Sequence, residues 1–247
     1  MKTVLITGCN GGIGSCIASH FTGNGYYVIG VDIQGAAKYE LGSYLQVDLA
    51  QLVDDESQAE NFSSELKELI KKKGLVLSAL INNAAVQILG SLESLNIDDF
   101  MLTQKVNVAA PLLLIKLLSE ELKDNNGIVL NVGSIHAALT KPEFISYAAS
   151  KSGLRGLTQA LAVDLQGEIR VNCIEPAAVG TEMLVEGFKG KGDKLAELKA
   201  CHPSQMIAEP SEIAELSFFL VDSSIRFING SCIGINGAIS SRLHDPV

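Results

Sequence analysis

Tyr147-Ala148-Ala149-Ser150-Lys151 sets a phenol and an ammonium four residues apart, the spacing that puts both on one face of a helix. A free tyrosine titrates near 10, too high for an efficient base at neutrality. A neighbouring cation is one of the few ways to lower it. Taken alone, such a pair is common by chance and reads as two exposed helix residues. Ser134 stands thirteen residues upstream, in Gly133-Ser134 just after an apolar run, where its hydroxyl can hold a substrate oxygen beside the phenol. A second group follows the first apolar run: Thr7-Gly8-Cys9-Asn10-Gly11-Gly12-Ile13-Gly14. Its glycines at 8, 12 and 14 permit a tight turn and a close backbone approach to a pyrophosphate, whose charge the N-terminus of the next helix favours. Asp32 lies 18 residues beyond Gly14, at the end of the next apolar run. A carboxylate there accepts hydrogen bonds from both hydroxyls of an adenosine ribose and repels a 2′-phosphate. No Arg or Lys occupies positions 9, 10, 33 or 34 to offset that repulsion, so NAD is expected over NADP. Asp48 either accepts from an adenine amino group or caps a helix.

These residues need a scaffold that brings them to one edge. Short apolar runs alternate with longer amphipathic ones along the chain. Strands are expected at 4–7, 27–31, 45–47, 79–82, 128–132, 170–174 and 231–235. Helices are expected at 12–24, about 55–73, 100–123, about 146–166 and 209–221. Strands apolar at every position are buried on both faces, as in a parallel sheet covered by helices. Strict alternation with right-handed crossovers gives a Rossmann-like, doubly wound α/β domain of about seven strands with helices on both faces. Ligands of such sheets bind at the carboxyl ends of the strands, and the motifs sit just after strands. There is no linker, repeat or domain boundary, so residues 1–247 read as one domain.

Composition narrows the function. With 19 basic and 28 acidic residues the formal net charge is −9, and without basic tracts nothing would neutralise nucleic-acid phosphates. Lys71-Lys72-Lys73 closes a helix, where cations favour the terminus. No run approaches the roughly 20 uninterrupted apolar residues of a membrane span, and the N-terminus has no signal-peptide pattern. Five scattered cysteines (9, 16, 173, 201 and 232) show no paired spacing. They fit reduced thiols of a cytoplasmic protein better than disulfides or a metal site, and no metal is expected.

In order and at spacing, TGCNGGIG, Asp32, Asp48, Asn82-Asn83-Ala84-Ala85, Asn107, Gly133-Ser134, YAASK, RVNCIEP and INGSCIGINGA resemble the short-chain dehydrogenase/reductase family of the roughly 250-residue type. The resemblance covers nearly the whole chain. It implies that Tyr147 is the general acid/base, that Lys151 lowers its pKa and binds the nicotinamide ribose, that Ser134 polarises the substrate carbonyl, and that Asn107 holds a water in the proton relay. It places Gly8, Asn10, Gly12, Ile13, Gly14, Asp32, Asp48, Leu49, Asn83, Ala84, Pro176, Val179 and Thr181 along the cofactor. The implied activity is NAD-dependent hydride transfer between nicotinamide and a secondary alcohol or its ketone. The alternatives are an NADPH-dependent 3-oxoacyl-carrier-protein-type reductase and a non-catalytic dinucleotide-binding protein. The family also implies a homotetramer or homodimer, packed through the helices at 100–123 and 146–166.

Ala85 and Ala177 stand where the family usually has glycine, and Asn236 where it usually has aspartate. The two alanines would limit activity if their backbones needed positive φ. Glu175 replaces a small residue and either orients a polar or cationic substrate or meets a polar neighbour. His136 falls where substrate-pocket residues lie and is read either as a substrate contact or as a loop histidine. A glycine-containing loop at about 182–205 is expected to act as a lid over substrate.

Overall fold

The computed structural model describes residues 1–190 and 192–243. Seven parallel strands run through its centre: β1 (Lys2–Thr7), β2 (Tyr27–Asp32), β3 (Ser43–Gln46), β4 (Val76–Asn82), β5 (Ile128–Val132), β6 (Arg170–Pro176) and β7 (Cys232–Ile235). Their order is β3-β2-β1-β4-β5-β6-β7. Alternation along each strand divides the core into two layers. Leu5, Ile29, Leu80 and Val129 point one way, against Phe62, Leu66, Leu114 and Leu118. Val4, Ile6, Val28 and Ile81 point the other way, against Ile17, Phe21, Ile213 and Leu220. Each such side chain contributes about 1.5–3 kcal/mol by leaving water.

Helix α1 (Gly12–Gly23) follows β1, and α2 (Leu49–Asp54) and α3 (Glu56–Lys73) follow β3. Asp55 caps α3 by accepting the N–H groups of Ser57 and Gln58, and Gly74 in the left-handed region ends it. The short α2 precedes the helix expected from about 55, because Asp48 supplies a cap of its own.

The helix expected at 100–123 is instead four pieces: α4 (Ile97–Gln104), a π-helical turn (Lys105–Ala109), α5 (Ala110–Leu117) and α6 (Ser119–Asp124). Pro111 explains one break, since it has no N–H for the carbonyl of Asn107 four residues before it. Leu118 leaves helical geometry at φ −110° and ψ 9°, separating α5 from α6. The stretch Ile97–Leu117 is long and apolar enough to cross a membrane by length and composition alone. Its Ala110, Leu114 and Ile115 are taken up by the core layer of α2 and α3.

Helix α7 (Ile145–Asp164) packs on β6 and on the π turn, and α10 (Pro210–Asp222) packs on α1. The segment expected as a loop at about 182–205 contains two helices, α8 (Glu182–Gly187) and α9 (Gly192–Cys201). Thr181 caps α8 by accepting from the N–H of Leu184, a start signal read in the sequence only as a ligand residue. Lys191, between the two helices, lies outside the described residues.

Candidate active site

The strand order reverses between β1 and β4, and ligands of such sheets bind beyond the carboxyl ends of the strands at that switch point. Close backbone contact builds its floor. Gly8 takes φ +65°, and a Cβ on it would lie 2.8 Å from the Cα of Ala84. A Cβ on Gly14 would lie 2.1 Å from the Gly8 carbonyl oxygen, and one on Gly12 would lie 2.9 Å from the Thr181 side chain. Only glycine fits at these three positions, so the loop from β1 is pressed against the segments that follow β4 and β6. Thr7 ties this floor together, its hydroxyl accepting the N–H groups of Asn83 and Ala84 at 3.1 Å each. The Asn83 amide donates back to the carbonyls of Thr7 and Gly8 at 3.0 Å. Thr7 was not singled out in the sequence; a hydroxyl residue ending the strand before the glycine loop was the available signal.

Helix α1 begins at Gly11 with no side-chain cap and no acid in its first turn, where Ile13 and Gly14 sit. Its first N–H groups are therefore left for an anion. Asp32 closes β2. Its Oδ2 accepts the backbone N–H of Asn10 at 2.9 Å and its Oδ1 that of Gln34 at 3.2 Å. Asn10 in turn donates to the Ala36 carbonyl and accepts from the Lys38 N–H, both at 2.9 Å, ordering the loop after β2. The glycine cradle, the uncapped helix and the acid at the strand end fit the pyrophosphate and ribose of a dinucleotide. Asp48 caps α2 through Oδ1, accepting from Ala50 and Gln51, which is the second of its two readings; Leu49 beside it is buried.

Beyond β5 and along α7 the second group converges. Ser134 is buried, its hydroxyl accepts the His136 N–H at 3.2 Å, and it stands near enough to the Tyr147 phenol to oppose part of the effect of burial on it. Lys151 is buried one helical turn further on, 5.5 Å from the centre of the Tyr147 ring, and donates to the Val132 carbonyl at 2.7 Å. The phenol stands above its ordinary value, not below it. Burial pushes Tyr147 up to about 12, opposed by Ser134. Burial also pulls Lys151 down to about 8, and its proton is committed to a backbone carbonyl.

Asn107, in the π turn, holds Val86 from both sides, donating to its carbonyl at 2.9 Å and accepting its N–H at 2.8 Å. It also donates to the Ser150 hydroxyl at 2.9 Å, which fastens the π turn to α7. A buried chain from Asn82 to Asn131 (2.8 Å) and on to Thr158 (2.9 Å) fixes α7 over β4 and β5. Asn131 and Thr158 carried no signal in the sequence, since each reads as an ordinary strand or helix residue.

His136 stacks on Phe144, with ring centres 4.5 Å apart, and meets the Tyr147 ring edge-on at 5.9 Å. Burial, with Lys141 nearby, lowers its pKa and favours the neutral imidazole. Pro176 ends β6, Val179 pairs with Ala208 and is buried, and Thr181 abuts the glycine loop. Glu175 is drawn to Arg155 at 3.1 Å, which is the neighbour-contact reading of that residue. Neither Ala85 nor Ala177 adopts a positive φ, so alanine costs their backbones nothing.

A glycine cradle at the switch point, beside a buried serine and lysine and a half-buried tyrosine, is an arrangement suited to a dinucleotide-dependent oxidoreductase. A family model described as enoyl-(acyl carrier protein) reductase matches residues 8–239, and the chain belongs to the short-chain dehydrogenase/reductase family. A relative named D-threitol dehydrogenase, from Mycolicibacterium smegmatis, is 29% identical, with 96% of this chain and 92% of that protein covered. A 4-hydroxyisoleucine dehydrogenase complexed with NADH superposes with a TM-score of 0.86 at 26% identity, covering 98% of this chain and 100% of that one. ElxO with NADP bound also reaches 0.86 at 26% identity, covering 98% and 99%. The protein is thus an oxidoreductase of this family.

Proposed function

We propose that this oxidoreductase uses NAD(H) and transfers a hydride between nicotinamide and a secondary alcohol or its ketone, with Tyr147 as general acid/base. The observation that carries the reading is the placement of Ser134, Tyr147 and Lys151 at the carboxyl edge of the same sheet whose second strand ends in Asp32. Asp32 selects NAD by accepting from the ribose hydroxyls. The Val179 backbone and the Thr181 hydroxyl hold the carboxamide. Asp48, through the oxygen not spent on its cap, receives the adenine amino group. A bound oxidised nicotinamide supplies a hydride acceptor and a positive charge.

Ser134 holds the substrate oxygen against Tyr147, which takes the hydroxyl proton during oxidation and returns it during reduction. Lys151 binds the ribose and shares a proton with a water held at Asn107. The Asn107 carbonyl, denied its α-helical donor by Pro111, is the acceptor offered to that water. Neutral His136 contacts a polar group of the substrate, and α8 with α9 close over it. The exposed Ile145 and Val163 of α7, with Met101 and Leu112 of α4 and α5, are covered by a second copy of the chain in the working oligomer.

The test is hydride transfer from a panel of secondary alcohols to NAD, followed by NADH absorbance. Tyr147→Phe is expected to lower the rate at least about 100-fold while NADH binding is retained. A variant as fast as the wild type on every active substrate overturns the assignment.

A further inference from the structure

Three chemically capable side chains are not used by the hydride-transfer reading, and they meet in one place. Cys173 and Glu175 alternate along β6 and so project from the same face, and Cys232 lies directly opposite Cys173 on the edge strand β7. The two sulfur atoms and a carboxylate oxygen all lie within 4.8 Å of one another. The Cys173 thiol donates to the Ile174 carbonyl at 3.6 Å, a weak bond that a metal ion would replace. Cys173 is buried, and the Glu175 side chain is 8% exposed. Its Oε1 is a buried acceptor without an aligned hydrogen bond, although the Arg155 Nε stands 3.1 Å away. Arg155 is half-buried and the more exposed partner of that pair, so its long side chain can swing outward. Gly133 closes the site from β5: a Cβ there would lie 2.6 Å from the Cys173 sulfur and 3.3 Å from Cγ of Glu175.

We propose that Cys173, Glu175 and Cys232 form a site for one zinc-class divalent cation, held by two thiolates and one carboxylate with a fourth position open to water. Two sulfurs and a carboxylate match the donors that borderline-soft d¹⁰ cations take in four-coordinate sites. A tetrahedral centre with metal–sulfur bonds of about 2.3 Å sets its sulfurs roughly 3.8 Å apart. Side-chain rotation from directly opposed strand positions supplies the remaining contraction. On loading, two metal–sulfur bonds form, the two thiol protons pass to solvent, and a Glu175 oxygen replaces one water of the hydrated ion. No electron moves. Arg155 shifts to the outer carboxylate oxygen and balances the negative charge of the ligand set. The ion staples edge strand β7 to β6 beneath the backbone that leads into Ser134. It takes no part in hydride transfer, so the proposal stands independently of the proposed function.

The experiment loads the reduced, chelator-treated full chain with Co²⁺ and with Zn²⁺. Co²⁺ is expected to bind one per chain, with thiolate-to-cobalt charge-transfer absorption and the visible bands of a tetrahedral centre. One equivalent of Zn²⁺ should bleach both and raise the melting temperature. Cys232→Ser should abolish the charge-transfer bands, and Glu175→Gln should weaken binding at least tenfold with both sulfurs kept. Cys201→Ser, which removes an exposed cysteine outside the site, should change nothing. Circular dichroism checks that each variant is folded. The proposal is overturned if the reduced wild type gives no charge-transfer absorption. Absorption that survives in the folded Cys232→Ser protein also overturns it, as does Glu175→Gln binding as tightly as the wild type.

Discussion

Replacing Asp32 by asparagine keeps the shape of the side chain and removes its charge and one acceptor oxygen. The carboxylate now accepts two backbone N–H groups, from Asn10 at 2.9 Å and Gln34 at 3.2 Å, one on each oxygen. An amide offers a single oxygen, so one of those N–H groups would face an NH₂. Hydrogen bonds to charged groups are worth about 1.5–3 kcal/mol, and the same loss applies to a ribose hydroxyl that Asp32 holds. Carried into NADH binding, that range is roughly a 10- to 150-fold weakening. NADPH should respond in the opposite direction. At about 5 Å and an effective dielectric of 20, a unit charge repels each 2′-phosphate charge by about 3 kcal/mol before salt screening. Titration calorimetry of NADH and NADPH with both proteins, at one fixed salt concentration, decides the matter. The wild type should prefer NADH at least tenfold, and Asp32→Asn should lose that preference mainly through NADPH gained and NADH lost. An unchanged preference in the variant, or a wild type that prefers NADPH, refutes the reasoning that Asp32 selects the cofactor.

Gly14→Ala places a Cβ 2.1 Å from the Gly8 carbonyl and 2.7 Å from the Asn83 amide, so backbone must move. Overpacking of this kind costs about 1–3 kcal/mol or more, and NADH binding should be lost with it in calorimetry. Gly156→Ala, on α7 with open space at its Cβ, should instead stabilise by about 0.5–1 kcal/mol, and equal melting temperatures for the two variants would defeat the cradle argument. The pH dependence of stability has a definite sign. Burial pulls Lys151 from 10.5 to about 8, so between those values the unfolded chain binds a proton that the native chain does not. Stability therefore rises with pH across that window, by up to about 1.4 kcal/mol per pH unit. Tyr147, raised from 10 to about 12, reverses the sign above 10, where the unfolded chain loses its proton first. Urea unfolding of the wild type and Lys151→Met at pH 7 and 9.5 should show the wild type gaining on the variant, and a falling difference would contradict the burial argument.

The alternating order and the sheet were legible because strands buried on both faces leave near-continuous apolar runs, as at 128–132, where Asn131 is the one polar residue. The breaks in the long helix were less so, because a single missing N–H at Pro111 changes hydrogen bonding four residues earlier without altering hydrophobic periodicity. The lid was read as loop from its glycines, yet Thr181 caps α8 and Asp193 opens α9. For the candidate site, residue types and order named the groups that touch ligand. They did not name those that hold them: Thr7, Asn131 and Thr158 act through partners 76, 49 and 27 positions away. The cysteine pair shows the same blindness. Cys173 and Cys232 lie far apart in the chain, and only the register of β6 with β7 makes them neighbours.

The Tyr147 phenol sits at about 12 and its lysine at about 8, so near neutrality Tyr147 keeps its proton and Lys151 keeps most of its charge. Burial works against the charged form of both groups, and the Val132 carbonyl holds the ammonium 5.5 Å from the centre of the ring. A base with so high a pKa is nearly inert towards an alcohol. On the proposed reading, activation must come from a further positive charge beside that of Lys151 in the same dry space, and the oxidised cofactor brings one there. Substrate oxidation would then wait for cofactor, because the phenolate is favoured only once the cradle is filled. The close packing of Gly8 on Ala84 and of Gly12 on Thr181 fixes where that charge can sit relative to the phenol. The glycines thus set the electrostatics of Tyr147 as well as the fit of the pyrophosphate.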